Sequence, residues 1–150
     1  MNPDPFNLQR FVDAQASVYA EVLDELARGR KTTHWMWFIF PQLQTLGRSG
    51  TARHYGLASK EEAAAYLRHP VLGERLRQCV DLLRGLEQTD PHAIFGSPDD
   101  LKLRSCLTLF AAVAPGESRF SDALGRFYPE GPDRLTLDLL GQGLRRFPPG

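Results

Sequence analysis

The segment Ser97-Pro98-Asp99-Asp100-Leu101-Lys102-Leu103-Arg104-Ser105-Cys106-Leu107-Thr108-Leu109-Phe110 constrains this chain more than any other. From Leu101 to Ala114 its apolar residues fall on nearly every side of a helical wheel. A helix apolar all round cannot sit on a surface, so other elements must wrap it. The flanking patterns are helical as well. Ser59-x-x-Glu62 is a capping box opening the helix Lys60–His69, which Pro70 stops. Leu72, Leu76, Cys79, Val80, Leu83 and Leu86 share one face of a second amphipathic helix. Phe120, Ala123, Leu124 and Phe127 mark a third, and Asp133 caps a short last one. The expectation is an all-α fold, a compact single-domain bundle of six to eight mostly short helices.

Near the N-terminus, Asp4-Pro5 predicts a helix start, and Leu8, Phe11, Val12, Gln15, Val18, Tyr19, Val22, Leu23 and Leu26 predict one helix running to Gly29. Gln15 is the polar residue of that stripe, either a member of a core network or a ligand contact. A single helical domain is expected over residues 1–141, with 142–150 a frayed tail. Eighteen basic residues balance eighteen acidic ones, which argues against a nucleic-acid or membrane partner held by a global positive field. No apolar run reaches the length of a membrane span and the first residues show no secretory pattern, so a cytoplasmic location is expected. Cys79 and Cys106 lie in apolar helical pattern and read as buried thiols.

Three segments carry candidate chemistry. In "KTTHWMWFIFPQL", Lys31 to Leu43, a cation, two hydroxyls and His34 precede Trp35, Trp37, Phe38 and Phe40. Flat rings can stack on a base or a nicotinamide while Lys31 holds a phosphate; equally, the rings can be core. A short buried helix is expected over Thr33–Phe40, with a buried strand as the rival. The second segment, "GRSGTARHYG", is read as a loop with at most one helical turn. Its backbone N–H groups, Arg48, Arg53, Ser49 and Thr51 suit an anion, although it lacks the ending of a phosphate-binding loop and also suits ordinary solvated loop. The third is the helix from Asp99, on which Asp99, Lys102, Ser105 and Thr108 step by three. Such a ridge either faces a cavity or is an Asp99–Lys102 surface pair with hydroxyls bonded back to helix carbonyls. The four histidines are scattered with no metal-ligand spacing, so no metal and no cofactor is expected. No nucleophile motif surrounds Ser105 or Cys106. Asp133 has a capping role and becomes a site residue only if the fold brings it to a cleft.

The stretches "DPFNLQRFVDAQ", "GRKTTHWMWFIFPQL", "EAAAYLRHPVLGERL", "IFGSPDDLKLRSCLTLF" and "PDRLTLDLL" together resemble a bacterial family catalogued as domain of unknown function number eighteen-ten, sometimes mislabelled calpastatin. The resemblance implies a small helical domain with no established activity. It singles out Gln15, Lys31, His34, Trp35, Trp37, Pro41, Gln42, Ser49, Tyr55, His69, Asp99, Lys102, Ser105, Thr108, Phe110 and Asp133 as positions matching the family pattern. Where that pattern more often reads Ser-Ser, this chain has Ser105-Cys106, which weakens any role needing a hydroxyl at 106. More distantly, an early His-aromatic element followed by an Asp-x-x-Lys helix is similar to the NADAR domains, which are linked to NAD and ADP-ribose chemistry. That similarity implies a nucleotide-like ligand, stacked on Trp35 or Trp37 and held through phosphate by Lys31, Arg48 or Lys102, with N-glycoside cleavage as the reaction. On this reading Asp99, Asp133 and His34 are the candidate catalytic residues. Lys31, Trp35, Trp37, Gln42, Arg48, Ser49, Tyr55, Lys102 and Ser105 are the candidate ligand contacts. The alternative is a non-enzymatic helical module whose aromatic residues dock another protein.

Overall fold

A computed structural model describes residues 3–141. Ten α-helices are present among them: α1 Gln9–Ala16, α2 Tyr19–Arg28, α3 Met36–Ile39, α4 Gly50–His54, α5 Lys60–Arg68, α6 Leu72–Arg84, α7 Pro91–Phe95, α8 Asp99–Val113, α9 Ser118–Phe127 and α10 Arg134–Leu139. A 3₁₀ turn spans Gln44–Leu46. No β-strand occurs among the described residues, so the all-α expectation holds. Six helices run seven residues or more; the others are the short turns that amphipathic periodicity resolves least well. The expected tail, 142–150, lies outside the described residues.

The apolar helix α8 is central. It packs against α5, α7, α9 and α10, and Leu103, Cys106, Leu107, Leu109 and Phe110 are sealed from solvent. The amphipathic α6 lies across α2, α5 and α9 with Leu72, Leu76, Cys79, Val80 and Leu83 buried. The caps form as expected: Ser59 Oγ accepts from Glu62 N–H at 3.0 Å, while Glu62 reaches back to Ala58 N–H at 2.9 Å.

One long helix to Gly29 is not observed. The described residues before α1 form a turn, Asp4 accepts from Leu8 N–H and Gln9 N–H at 2.8 and 3.0 Å, and helix begins only at Gln9. It breaks again at Ser17-Val18, so that α1 packs on α3 whereas α2 packs on α6. A straight helix could not bury both Phe11 and Gln15 on one side and Val22 and Leu26 against a different partner. Gln15 is a core network member: its amide donates to Phe38 O at 2.7 Å and Tyr66 OH at 3.1 Å and accepts from Arg75 at 3.2 Å.

Two polar side chains fix the connections leading to the cleft. Arg10 donates to the carbonyls of Phe6, Asn7, His54 and Gly56 and to Glu62 at 2.8 Å, clamping α1 to the end of α4 and to α5. Glu25, buried near the end of α2, accepts from Thr32 N–H (2.7 Å), Thr33 N–H (3.0 Å), the Thr33 hydroxyl and the Trp35 indole N–H (3.1 Å). Burial by itself pushes the Glu25 carboxyl up, but these four donors hold it down at about 2. At Gly56 an added Cβ would meet Gln44 Cα at 2.4 Å, so only glycine allows the backbone contact by which Gln42 and Gln44 pair with Leu57.

Candidate functional site

The Lys31–Leu43 segment forms a short helix, α3, rather than a strand, and divides its aromatic residues between two environments. Trp35 and Phe40 are 1% exposed and pack with Phe95 at ring distances of 6.4 and 6.0 Å. They are core, so Trp35 offers no face to a ligand and neither ring forms an open docking patch. Lys31 also turns inward. Its ammonium is 2.9 Å from Asp99 and 5.0 Å from the Trp35 ring, and its backbone N–H donates to Ile94 O. His34 is exposed and outside the cleft described below. Trp37 is half-buried, with the Lys102 ammonium 5.3 Å from its ring. Trp37 borders, with Tyr55, Gln42 and Lys102, a crevice of only about 10 Å³, which holds no aromatic ring.

Beside that crevice opens a cleft of about 440 Å³, within the range of small-molecule sites. Its polar wall is Gln42, Arg48, Ser49, Lys102, Ser105 and Asp133, contributed by four separate parts of the chain. Its apolar wall includes Leu46, Ala52, Pro98, Leu101 and Leu135. Gln42 is presented by the segment pinned at Gly56, Ser49 by the start of α4, Lys102 and Ser105 by one face of α8, and Asp133 by the cap of α10. Six of the twelve candidate residues therefore meet in one hollow; Trp37 and Tyr55 sit in the adjoining crevice, and Lys31, His34, Trp35 and Asp99 lie off its lining.

The hydrogen-bonding state of these groups shows what each has left to offer. Ser49 Oγ accepts from Ala52 N–H at 3.0 Å, and its own O–H has no acceptor among the described residues. The Gln42 amide and the Arg48 guanidinium make no side-chain hydrogen bond among the described residues, and Arg48 has no carboxylate partner there. Asp99 is shared by two ammonium groups, Lys31 at 2.9 Å and Lys102 at 3.6 Å. One carboxylate balances only one of them, and the better-buried Lys31 makes the shorter pair. A net positive charge therefore remains on the Lys102 side, facing the cleft.

Asp133 is held tightly. Its Oδ2 accepts from Thr136 N–H at 3.1 Å, from the Thr136 hydroxyl and from Ser105 Oγ at 3.2 Å. Its backbone N–H donates to Thr108 Oγ1 at 2.9 Å. The Asp99-Lys102-Ser105-Thr108 ridge therefore serves both uses considered for it. Ser105 and Thr108 bond back to Leu101 O (3.3 Å) and Arg104 O (2.8 Å), and the same two hydroxyls anchor Asp133 at the cleft.

The apolar lining of Leu46, Leu101 and Leu135 carries no sequence signal that marks it as part of a site. Leu101 and Leu135 are 58% and 55% exposed, unusual for leucines on helices that pack into a core. For Leu101 the pattern alone could not have shown this, because a leucine on a helix apolar all round reads as buried; Leu135 stands on the short α10, whose six residues are too few for a periodicity to assign its faces. Cys79 and Cys106 are both free and buried; burial pushes the Cys79 thiol up to about 12 and Cys106 well above its ordinary value. No cluster of three or more His, Cys, Asp or Glu side chains suited to a metal occurs among the described residues. No helix among them is long and apolar enough to cross a membrane.

Fold and cleft together define a small helical domain with a polar hollow set between the α3–α4 connection, α8 and α10. The chain belongs to the family described as a protein of unknown function, DUF1810, whose model matches residues 5–140. It is similar to the conserved hypothetical protein Rv1873 from Mycobacterium tuberculosis, for which a crystal structure exists. The two share 51% identity over 92% of this chain and 99% of that one, with a TM-score of 0.90. A comparison with curated proteins finds no match.

Proposed function

We propose that the cleft binds a small anionic, nucleotide-like ligand, with the anionic group between Arg48, Ser49 and Lys102. The observation that carries this reading is that cationic and neutral donors from distant parts of the sequence line one hollow while lacking full internal partners. Arg48 has no ion-pair partner among the described residues, Lys102 has only a share of Asp99, and Ser49 and Gln42 have donors to spare. Such groups are costly to leave facing each other and favour a phosphate or carboxylate between them. The apolar side, Leu46, Leu101 and Leu135, supports a ligand with a flat or apolar body, in place of stacking on a tryptophan. Among the carboxylates considered for N-glycoside cleavage, Asp133 is the one on the lining. A carboxylate there is suited to stabilise a developing oxocarbenium ion, and that would be its part in turnover.

The test is a thermal-shift screen with inorganic phosphate, AMP, NAD and ADP-ribose, repeated on Arg48→Ala and Lys102→Ala. Ligand-dependent stabilisation in the wild type, lost in both variants, is expected. A wild-type melting temperature unmoved by every compound refutes the reading. Free nicotinamide released from NAD is the corresponding assay for hydrolysis.

The second reading, a protein-interaction module, draws support from one observation: Leu101, Leu135 and Leu139 are the large hydrophobic residues left exposed among those described, and two of them edge the cleft. Light scattering tests self-association, and a monomer unchanged by Leu135→Ser removes that version.

A further inference from the structure

We infer that the ligand of this cleft carries its anionic group on a hydroxylated body of sugar type, and that Asp133 selects it by accepting a hydroxyl hydrogen bond. This rests on the reading of the cleft as an anion site and adds the chemistry of its opposite end. An acidic side chain in a site for anions needs a reason, since it repels the ligand's charge unless something else occupies it. Asp133 cannot be explained as a counter-ion to Arg48 or Lys102, because no ion pair joins it to either among the described residues. Its Oδ2 accepts two hydrogen bonds from Thr136 and a share of the single Ser105 hydroxyl proton, which also reaches Leu101 O. Its Oδ1 accepts no hydrogen bond among the described residues, while Asp133 as a residue lines the hollow. A carboxylate with one oxygen engaged and the other open is a fixed acceptor, able to take a donor from a ligand in place of water.

A hydroxyl, a neutral N–H and an ammonium are the donors a ligand can offer, and the hydroxyl is the one a sugar-type body carries beside its anion. Lys102 lies one turn before Ser105 on α8, and Ser105 bonds Asp133, so an ammonium at Oδ1 would also stand near the Lys102 charge. A hydroxyl meets no such repulsion. The lining thus favours a molecule with an anion at the Arg48–Lys102 end and neutral hydroxyls at the Asp133 end. A sugar phosphate has this form, and the volume of about 440 Å³ leaves room for a further ring against Leu101 and Leu135.

Calorimetric titration of the full chain with methyl phosphate, ribose 5-phosphate and phosphoethanolamine tests the assignment. Wild-type protein is expected to bind ribose 5-phosphate about 10-fold or more tighter than methyl phosphate, the scale of one hydrogen bond to a charged group. Asp133→Asn should abolish that preference while leaving methyl phosphate binding equal or stronger. Asparagine still caps α10 through its carbonyl, which turns its amide N–H₂ toward the cleft and replaces the acceptor with a donor. Should the variant fail to fold, the wild-type comparison of the three ligands decides alone. Equal affinity for methyl and ribose phosphates overturns the sugar assignment and leaves the anion site standing; so does a preference for phosphoethanolamine. If none of the three binds, both readings fall.

Discussion

Replacing Glu25 separates the part played by its charge from that played by its shape. The side chain is 3% exposed and holds four donors, among them the indole N–H of Trp35, itself 1% exposed. Glu25→Ala leaves that N–H buried and unpaired and strips the Thr32 and Thr33 amides of their acceptor. Removing one member of such a buried charged network costs about 3–5 kcal/mol. Glu25→Gln can keep its carbonyl at the Oε1 position, where three donors converge, and present its amide to the Thr33 hydroxyl, which then accepts. It loses charge assistance only, about 1–2 kcal/mol. The pH dependence distinguishes the two effects. The Glu25 carboxyl falls from an ordinary 4.5 to about 2 on folding, a preference for the charged form worth roughly 3 kcal/mol at most. A depressed acid stabilises the fold fully above its ordinary value, and that contribution fades as pH drops from 4.5 through about 2. Urea denaturation of wild type and Glu25→Gln at intervals from pH 6 to pH 2 should therefore show the gap between them closing over that window. A gap that stays constant with pH would refute the claim that the four donors stabilise a carboxylate rather than merely fill space.

Three other outcomes are open to direct measurement. Gly56→Ala should lower stability by about 1–3 kcal/mol in chemical denaturation, because its Cβ would meet Gln44 backbone at 2.4 Å; the chemically identical change at Gly116, where nothing lies within 4 Å, should cost little. Asp99→Asn should destabilise more than Lys102→Ala, as it leaves the Lys31 ammonium enclosed with no carboxylate, at about 3–5 kcal/mol against about 1 kcal/mol or less for the more exposed partner. In a colorimetric thiol assay at pH 8, Cys79 and Cys106 should react only after unfolding, since burial keeps both protonated and covered; prompt reaction of the native protein would contradict their placement.

The sequence by itself determined the helices that carry their own signals. Ser59-x-x-Glu62, Asp133 and the Leu72–Leu83 stripe each predict an element whose caps and buried face the structure reproduces, because capping and amphipathicity act within a few residues. The all-round apolar character of α8 fixed its central place for the same reason. Long-range partners have no local trace. That α1 and α2 break apart at Ser17-Val18 follows from packing on two different helices, which no period along the chain records. Arg10 and Glu25 look like ordinary surface charges in the sequence and prove to be clamps, since what engages Arg10 includes residues some fifty positions away. The aromatic segment supplied rings but not their faces: Trp35 went to the core and Trp37 to a crevice edge because Glu25 and Phe95 stood where they did. The cleft belongs wholly to the tertiary level. Gln42, Arg48, Lys102 and Asp133 span ninety residues of chain, and only the docking of α10 on α8 brings the last of them to the others.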